Sequence, residues 1–256
     1  MSRPLIISFA ASLIFVWGVH AAFELDDLET SLPFARQDGL AGNPAELVTL
    51  PCPRWALQYH LPFGLHKLRH NSLSMALPYK KLRLSAGLAS TGFSLHRELS
   101  AWLGGGLPLS RNLALGASIT ILYLQQENRT YRNQTQTLGL RIKIGTSLEL
   151  GLWQRGSSGL APPSLFLKLV HRPDAQSLVY AHLRHHPQRP HRLDLAAEHR
   201  LHPRFHLRLG TRSTPRRFAL GTRIVAGGWK ITYAVTTHTH LGPSHTFATG
   251  NTCRSP

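Results

Sequence analysis

Charged side chains with the spacing of a β-strand are the first feature of this sequence that could do chemistry. In the stretch TLGLRIKIGTSLELGLW, residues 137–153, Arg141, Lys143 and Glu149 lie among large aliphatic residues that recur at every second position. Alternation of this kind gives a strand one apolar face and one polar face. Cations on the polar face can attract anions if that face lines a space that solutes enter.

Six basic residues on such polar faces are predicted to set the electrostatics of a lumen or to contact a ligand. The chain has a formal net charge of +17 and a sequence pI of about 11.1. A nucleic-acid-binding protein would also be basic. Here, however, Arg and Lys are spread through nearly every alternating segment, so nucleic acid is not an expected partner. The six residues are Arg141, Lys143, Lys168, Arg184, Arg208 and Arg223.

Catalytic and metal-binding motifs are not recognisable in the sequence. The patch HLRHHPQRPH, residues 182–191, contains four His, but its neighbours are Arg and Pro, and no thiol or carboxylate completes a tetrahedral set nearby. Asp194 and Glu198 lie four residues apart, hence on one face of a strand, and are interpreted as counter-charges to Arg192 and Arg200. We therefore predict no enzyme activity, no catalytic residue, no metal and no cofactor.

The elements that must position the charges are predicted to be strands. Pro and Gly interrupt the sequence every ten to fifteen residues, which is typical of an all-β meander. Many alternating segments are nine to eleven residues long, which suits a tilted strand that crosses a bilayer. Fourteen segments are predicted, at 55–61, 70–77, 81–89, 93–103, 112–124, 135–144, 146–154, 163–171, 177–185, 191–201, 204–213, 216–226, 229–238 and 243–249.

Charged residues on one face of every strand favour a membrane barrel, because its lumen is the only place inside a membrane where a guanidinium stays hydrated. The predicted fold is all-β, a transmembrane antiparallel up-and-down β-barrel of about 14 strands at 51–250, with a C-terminal tail at 251–256. The polar stretch around Asn128 and Asn133 is predicted as a loop on the outside. A soluble secreted basic β-sandwich that binds a polyanion is the alternative, since its strands also alternate.

Aromatic residues near the predicted strand ends are interpreted as girdles at the two membrane interfaces. These residues are Trp55, Tyr59, Trp102, Tyr123, Trp153, Phe205, Trp229 and Tyr233.

The first 21 residues are predicted to be a signal peptide. One basic residue precedes an apolar run that ends in VHAA, whose small residues fit a cleavage site before Ala22. A single transmembrane anchor is the alternative, but the run is shorter than the roughly 20 residues that a span needs. Residues 22–50 are then expected to form a short segment that is periplasmic or enters the lumen.

Two stretches resemble a known family. FARQDGLAGNPAEL, residues 34–47, resembles the N-terminal signature of PorV-like and FadL-like outer-membrane barrels, in which an Asn-Pro-Ala motif is followed by Leu. THTHLGPSHTFATG, residues 237–250, is similar to the closing strand of the same group. The matching positions are Asn43, Pro44, Ala45, Leu47, His240, Leu241, Gly242, Ser244, His245 and Phe247.

The resemblance implies a porin-like protein of the bacterial outer membrane, with the lipid of that membrane as its surroundings. Its FadL-like side implies passive transport of small hydrophobic or anionic molecules. Its PorV-like side implies a scaffold in protein secretion, with secretion-system proteins as partners.

The two cysteines of the chain provide a test of barrel closure. Cys52 lies three residues before the first predicted strand, and Cys253 lies four residues after the last. In a closed barrel with an even number of antiparallel strands, both termini leave on the same side and the first and last strands are neighbours. The two thiols would meet there and could form a disulfide in an oxidising cell envelope. The alternative is two unrelated free cysteines.

Overall fold

The structure is a computed structural model, which describes residues 42–93, 95–126, 129–157, 163–238 and 241–253. Several predictions therefore lie wholly or partly outside the described residues. They are the signal peptide at 1–21, the first part of the segment 22–50, the loop at Asn128, the role of His240 and the end of the tail at 251–256.

Fourteen antiparallel strands form one closed barrel, in which each strand pairs with its neighbours in sequence and β1 pairs with β14. The predicted fold class is confirmed, and each of the fourteen predicted segments corresponds to one strand. The soluble β-sandwich is wrong, because a sandwich consists of two separate sheets. The strands are β1 (Arg54–Leu61), β2 (His70–Tyr79), β3 (Leu82–Phe93), β4 (His96–Pro108), β5 (Leu113–Gln126), β6 (Arg129–Ile144), β7 (Leu148–Ser157), β8 (Ser164–His171), β9 (Ser177–His186), β10 (Arg189–His202), β11 (Phe205–Arg212), β12 (Arg217–Ala226), β13 (Trp229–Thr236) and β14 (Ser244–Asn251).

Helical structure in the described residues consists of short 3₁₀ segments at Pro44–Thr49, Pro62–Gly64 and His66–Leu68. None of the described helices is long and apolar enough to cross a membrane.

The two ends of the barrel are defined by the chain termini. The terminal end is the one at which the chain enters β1 and leaves β14, and the other is the opposite end. Several hairpins at the terminal end have two-residue turns, such as the one between β12 and β13. Gly227 and Gly228 form this turn with φ values of 59° and 86°. Tight hairpin turns require such left-handed values, which glycine adopts without strain.

Alternation along the strands divides the barrel wall into an outer and an inner face. On the outer face, Leu88, Leu103 and Leu220 leave 59%, 59% and 53% of their surface exposed. On the inner face, polar side chains such as Thr137 and Arg208 are almost completely buried. This distribution is the reverse of that in a soluble protein, and a barrel embedded in lipid requires it.

The central hairpin of the barrel is longer than predicted. β5 and β6 contain 14 and 16 residues, and Asn133 lies within β6 with its side chain buried on the inner face. The prediction of a polar loop around Asn128 and Asn133 is therefore wrong for Asn133, while Asn128 lies outside the described residues. The physical reason is that the inner face of the barrel is polar, so polar residues such as Asn133 and Thr135 can belong to a strand and do not indicate a loop.

The aromatic residues divide between the two faces. Trp55 and Trp229 meet on the outer face near the terminal end, with ring centroids 5.3 Å apart in an edge-to-face arrangement. Trp102 and Trp153 were wrongly predicted as interfacial, because their positions along β4 and β7 place them on the inner face. Trp102 lies over Gly87, where any Cβ atom would overlap its ring. The position of a residue within the two-residue period decides its face.

Cys52 and Cys253 are joined by a disulfide in the structure, with their Cα atoms 5.8 Å apart. Closure of the barrel brings them together, since Ala56 of β1 pairs with Gly250 of β14.

Replacement of Cys52 by serine is expected to lower the free energy of unfolding of the barrel by about 2–4 kcal/mol. The reason is that the disulfide closes a loop across 201 positions of sequence and so restricts the unfolded chain. A urea titration of the refolded protein in detergent micelles measures the change. Reductant should reproduce it in the wild-type protein and have no further effect on C52S. A wild-type protein that is insensitive to reductant would contradict the prediction.

Candidate functional site

The lumen wall, formed by the inward-facing residues, has two unlike halves. Inward positions on β14 and β1–β5 carry mainly Ser, Ala, Gly and Thr, and we call this part the small half. Inward positions on β6–β13 carry most of the charged and aromatic residues, and we call this part the charged half. Examples from the small half are Ser72, Ser74, Ala76, Ser85, Ala89, Ser100, Ala114, Ser118 and Thr246.

The first charge cluster of the charged half surrounds Glu198 of β10. Its carboxylate accepts hydrogen bonds from Nε of Arg208, at 2.8 Å, and from Arg223. Nδ1 of His206 lies 2.9 Å from the same carboxylate. Only 7% of the Glu198 side chain and 2% of the Arg208 side chain are exposed. One carboxylate is therefore shared by two guanidinium groups and an imidazole.

The second charge cluster surrounds Asp194, four residues before Glu198 on the same strand. Nε of Arg212 donates a hydrogen bond to Oδ1 of Asp194 at 2.7 Å. Nε of Arg192 and Nδ1 of His182 each lie 3.5 Å from Oδ2. Cations again outnumber the carboxylate. The sequence identified Arg192 as a counter-charge of Asp194, but the main partners of both acids come from neighbouring strands.

The third charge cluster surrounds Glu149 of β7, nearer the terminal end. Nη2 of Arg141 donates to Oε2 of Glu149 at 2.6 Å, and Nη1 of Arg172 lies 3.9 Å from that oxygen. Lys143, two residues further along β6, has an exposed side chain at the rim.

Residues 43–50, which we call the lumen segment, lie inside the barrel at its terminal end. The 3₁₀ helix Pro44–Thr49 begins after Asn43, whose side-chain oxygen accepts a hydrogen bond from the Ala45 amide at 3.0 Å. Asn at the N-cap and Pro in the first turn both favour a helix start. Nδ2 of Asn43 also donates to the Leu140 carbonyl of β6, at 2.9 Å. The family-motif residues Asn43, Pro44, Ala45 and Leu47 are all buried here.

Glycines on three neighbouring strands make room for the lumen segment. A Cβ atom at Gly116 of β5 would overlap the backbone of Pro44 and Ala45. A Cβ at Gly106 of β4 would come within 2.7 Å of the Pro44 carbonyl oxygen, and one at Gly139 of β6 would overlap Oδ1 of Asn43. The lumen segment therefore rests directly on the backbone of the barrel wall.

Polar contacts hold the lumen segment from two sides. Nζ of Lys168 on β8 donates to both carboxylate oxygens of Glu46, at 2.8 and 3.1 Å. Nε of Arg83 on β3 donates to the Leu50 carbonyl at 3.0 Å. The segment thus links the small half of the wall to the charged half.

Three rings on adjacent strands form an aromatic stack in the charged half: Trp153 of β7, Phe166 of β8 and His182 of β9. Their centroids are 5.1 to 5.7 Å apart, and their planes are parallel to within 5°. The guanidinium carbons of Arg155 and Arg184 lie over Phe166, 5.9 and 5.5 Å from its centroid. Sequence reasoning missed this group, although Trp153 shares the odd-numbered inward positions of Arg141 and Glu149.

The closing-strand motif is spread over the opposite end. Leu241 is exposed, and a Cβ at Gly242 would lie 3.1 Å from the Phe63 carbonyl oxygen. Nδ1 of His245 is 2.9 Å from the Tyr233 hydroxyl.

His238 lies in the loop before β14. Burial, followed by the positive charges of Arg217 and Arg212, lowers the pKa of His238 to about 4. Its Nε2 is 2.8 Å from Oγ of Ser244, and at neutral pH the ring carries no charge.

The His-rich patch is divided by strand alternation. His182 and His186 face the lumen, whereas His185 lies on the outer face beside His191, with their Nδ1 atoms 3.1 Å apart. Among the described residues, no group of three or more His, Cys, Asp or Glu side chains could hold a metal ion.

The six basic residues predicted from sequence do not converge on one site. Arg208 and Arg223 meet at Glu198, and Arg184 lies over Phe166. Arg141 pairs with Glu149, Lys168 holds the lumen segment, and Lys143 lies at the rim. These residues therefore line the lumen at several heights.

A closed barrel with an apolar outer face, a charged lumen and an inserted N-terminal segment has the architecture of the bacterial outer-membrane β-barrels, and the fold places this chain in that class. Comparison of the sequence with protein-family models and with curated proteins gives no match.

Solved structures of FadL-like channels are similar to this chain in fold. The CymD monoaromatic hydrocarbon channel has a TM-score of 0.65 and 10% identity, with 85% of this chain and 93% of CymD covered. The toluene transporter TodX of P. putida has a TM-score of 0.63 and 12% identity, with 85% and 94% covered. A Pseudomonas aeruginosa FadL homologue has a TM-score of 0.62 and 9% identity, with 83% and 92% covered. The FadL-like part of the resemblance is thus supported at the level of fold, and the PorV-like part stays a prediction.

Proposed function

We propose that the protein is a passive channel of the bacterial outer membrane that favours small anionic solutes, and that it is not an enzyme. The observation that carries this proposal is the surplus of cations in the lumen. A channel selects ions by the charges that line it, and positive rings or patches favour anions.

The surplus can be counted in the three charge clusters. Glu198 is flanked by Arg208 and Arg223, Asp194 by Arg212 and Arg192, and Glu149 by Arg141 and Arg172. Three carboxylates thus face six guanidinium groups, which leaves three positive charges in excess.

Small hydrophobic solutes are the second candidate class. A groove of about 850 Å³ crosses the outer face of β14 and β1–β5, and apolar side chains line most of it. Leu57, Leu73, Leu88, Tyr123 and Phe247 are among them. A hydrophobic molecule that has partitioned into the membrane can contact this groove without meeting water. The names of the similar channels, which refer to toluene and monoaromatic hydrocarbons, agree with this second candidate.

A scaffold in protein secretion is the remaining alternative. The lumen segment favours it, because a scaffold has no need of an open lumen. Solute flux separates the two functions.

The direct test is the ion selectivity of the mature chain from Ala22, refolded and inserted into planar bilayers under a KCl gradient. We expect the current to be carried mainly by chloride, so that the reversal potential has the sign of the chloride gradient. In the double variant R208Q/R223Q, Glu198 has lost both guanidinium partners, so the reversal potential should move toward zero. A control is R111Q, which removes the same kind of charge from the exposed turn between β4 and β5.

Cation-selective or unselective current in the wild-type protein would overturn the anionic proposal. Flux of toluene into liposomes without anion-selective current would favour the hydrophobic class. No conductance and no flux, even after the lumen segment has been displaced, would favour the scaffold.

A further inference from the structure

We propose that the groove on the outer face binds one membrane lipid, with the acyl chains in the groove and an anionic phosphate headgroup at Arg97 and Arg132. The groove has a volume of about 850 Å³ and lies on the outer face of the wall, not in the lumen. The lipid site therefore goes beyond the channel function and does not depend on it.

Two neighbouring rows of outward-facing residues form the groove, and the register of the strands defines both rows. The first row contains Leu57, Leu73 and Leu88, which pair across β1, β2 and β3, and Ala101 of β4 continues it. The second row crosses β14 and β1–β5, and each member pairs with the next: Phe247, Tyr59, Asn71, Ser90, Leu99 and Tyr123. A largely apolar surface that crosses several strands suits an acyl chain.

Short side chains lie in the middle of the groove. Asn71, Ser90 and Ala101 have larger neighbours in the same rows, such as Tyr59 and Leu99. Asn71 and Ser90 are also polar, and no described residue forms a hydrogen bond with either side chain. A polar group that faces hydrocarbon needs a partner. The ester carbonyls of a lipid would accept hydrogen bonds from both side chains, whereas a hydrocarbon such as toluene has no acceptor.

Positive charge lies at one end of the second row. Tyr123 pairs with Arg132 of β6, and the guanidinium carbon of Arg132 lies 5.7 Å from the Tyr123 ring centroid. Arg97 lies on the outward face of β4, two residues before Leu99. Both arginines are exposed, and neither forms an ion pair or a hydrogen bond with any described residue. A phosphate headgroup would supply the missing counter-charge.

The two arginines do not have to meet. β4 and β6 are separated only by β5, so their backbones are about 10 Å apart. Both strands begin at the opposite end of the barrel, and Arg97 and Arg132 lie in their first four residues. A long arginine side chain near a membrane surface covers apolar area with its stem and extends its charge into the headgroup layer. Each guanidinium group can therefore contact the headgroup from its own side.

Charge complementarity favours a lipid over a second copy of this chain. The acidic residues of the described strands all face the lumen, and they are Glu98, Glu149, Asp194 and Glu198. A partner that presents the same outer face would bring further positive charge and no carboxylate to the two arginines. Like charges across an interface oppose association.

Lipid binding can be tested by native mass spectrometry of the refolded mature protein in a neutral detergent. Dioleoyl phosphatidic acid is compared with dioleoylglycerol, which has the same chains without the phosphate, and with glycerol 3-phosphate, which has the phosphate without the chains. We expect phosphatidic acid to bind about thirtyfold more tightly than dioleoylglycerol, and glycerol 3-phosphate not to be retained. Equal affinity of the two lipids would overturn the inference, and so would glycerol 3-phosphate binding as tight as that of phosphatidic acid.

Charge variants test the arginine end of the site. R97Q and R132Q should each weaken phosphatidic acid binding about fivefold and the double variant about thirtyfold, while dioleoylglycerol binding stays the same. The matched control R111Q removes an exposed arginine from the turn between β4 and β5 and should change neither. Each variant is first shown to be folded by its faster migration in unboiled gel samples. Unchanged phosphatidic acid affinity in folded R97Q/R132Q would contradict the assignment.

A matched pair of variants tests the groove. A101L fills the groove and should weaken the binding of both phosphatidic acid and dioleoylglycerol about tenfold, because the chains lose apolar contact area. A197L makes the same change on the outward face of β10, outside the groove, and should have no effect. Equal lipid affinity of folded A101L and A197L would show that the chains lie elsewhere.

Other occupants of the groove would give different results. A dimer in the same spectra that A101L disrupts, without a preference for phosphatidic acid, would place a second copy in the groove. Toluene flux into liposomes that A101L abolishes, again without that preference, would assign the groove to hydrophobic solutes. Either result would overturn the lipid site.

The outcomes also separate the lipid site from the proposed function. Anion-selective current in a protein that binds phosphatidic acid and dioleoylglycerol equally would overturn the lipid site and leave the channel in place. A preference for phosphatidic acid that R97Q/R132Q abolishes, in a protein that conducts nothing, would support the lipid site and overturn the channel.

Discussion

Replacement of Gly116 by alanine is expected to expel the lumen segment from its place and to raise the single-channel conductance severalfold. The added methyl group would overlap the backbone of Pro44 and Ala45, which cannot rotate away as a side chain could. The methyl group itself is too small to block a 14-stranded barrel. The increase in conductance should therefore report the loss of the obstruction at the terminal end.

The barrel itself should tolerate this substitution. Gly116 lies in β5 and pairs with Gly106 of β4 and Gly139 of β6, and alanine fits a strand as well as glycine does. The matched control is G156A in β7, where a Cβ atom would have no neighbour within 4 Å. Both variants should show the same heat-modifiable migration on gels. Equal conductance of G116A and G156A would show that the lumen segment does not obstruct the path.

A milder form of the same effect is expected for K168Q. This variant removes the cation that binds both carboxylate oxygens of Glu46, an ion-pair hydrogen bond worth about 1.5 kcal/mol. Spontaneous openings in bilayer recordings should then be about tenfold more frequent, while the glycine contacts still hold the segment between openings. G116A should exceed K168Q in mean conductance.

The barrel was predictable from sequence because the alternation of apolar and polar residues that identifies a membrane strand lies within the strand itself. Leu138 and Leu152 face outward, and Arg141 and Glu149 face inward, as the two-residue period requires. Disulfide formation could be anticipated for a related reason, since closure of an even-stranded barrel dictates where the termini meet.

The interior of the barrel was less predictable, because its contacts join residues far apart in sequence. The position of Asn43 depends on glycines contributed by β4, β5 and β6, and no local pattern marks Gly106, Gly116 and Gly139 as one surface. The two-residue period already places Trp153 on the inner face, but its contacts with Phe166 and His182 join three different strands and have no local signal. Prediction of these contacts would require the register of every strand pair.

Replacement of Glu198 by glutamine is expected to give the largest loss of stability among single substitutions in the lumen wall. The carboxylate neutralises Arg208 and Arg223, and both are held close to it in a site with little exposure. Glutamine has nearly the same shape but no charge, so two guanidinium groups would repel each other across it. Loss of one partner from a buried ion pair costs about 3–5 kcal/mol. A urea titration in detergent micelles measures this difference.

The control for E198Q is D174N, which changes a carboxylate in the exposed turn between β8 and β9. Asp174 accepts hydrogen bonds from the Gln176 and Ser177 amides, and an Asn oxygen can accept the same bonds. No measurable change in stability is therefore expected for D174N.

A double-mutant cycle with Arg208 tests whether the loss in E198Q arises from the ion pair. If it does, R208Q should also destabilise the barrel, because Glu198 then has fewer partners, and E198Q/R208Q should be less destabilised than the sum of the two single variants. The coupling should be smaller than the loss in E198Q, because Arg223 still lacks its carboxylate in the double variant. Additive effects would contradict the ion-pair explanation and assign the stability of this region to packing. Coupling would show that the Glu198 carboxylate stabilises the wall through its ion pair. The same carboxylate offsets part of the positive charge in the lumen, so folded E198Q should conduct with stronger anion selectivity than the wild-type protein.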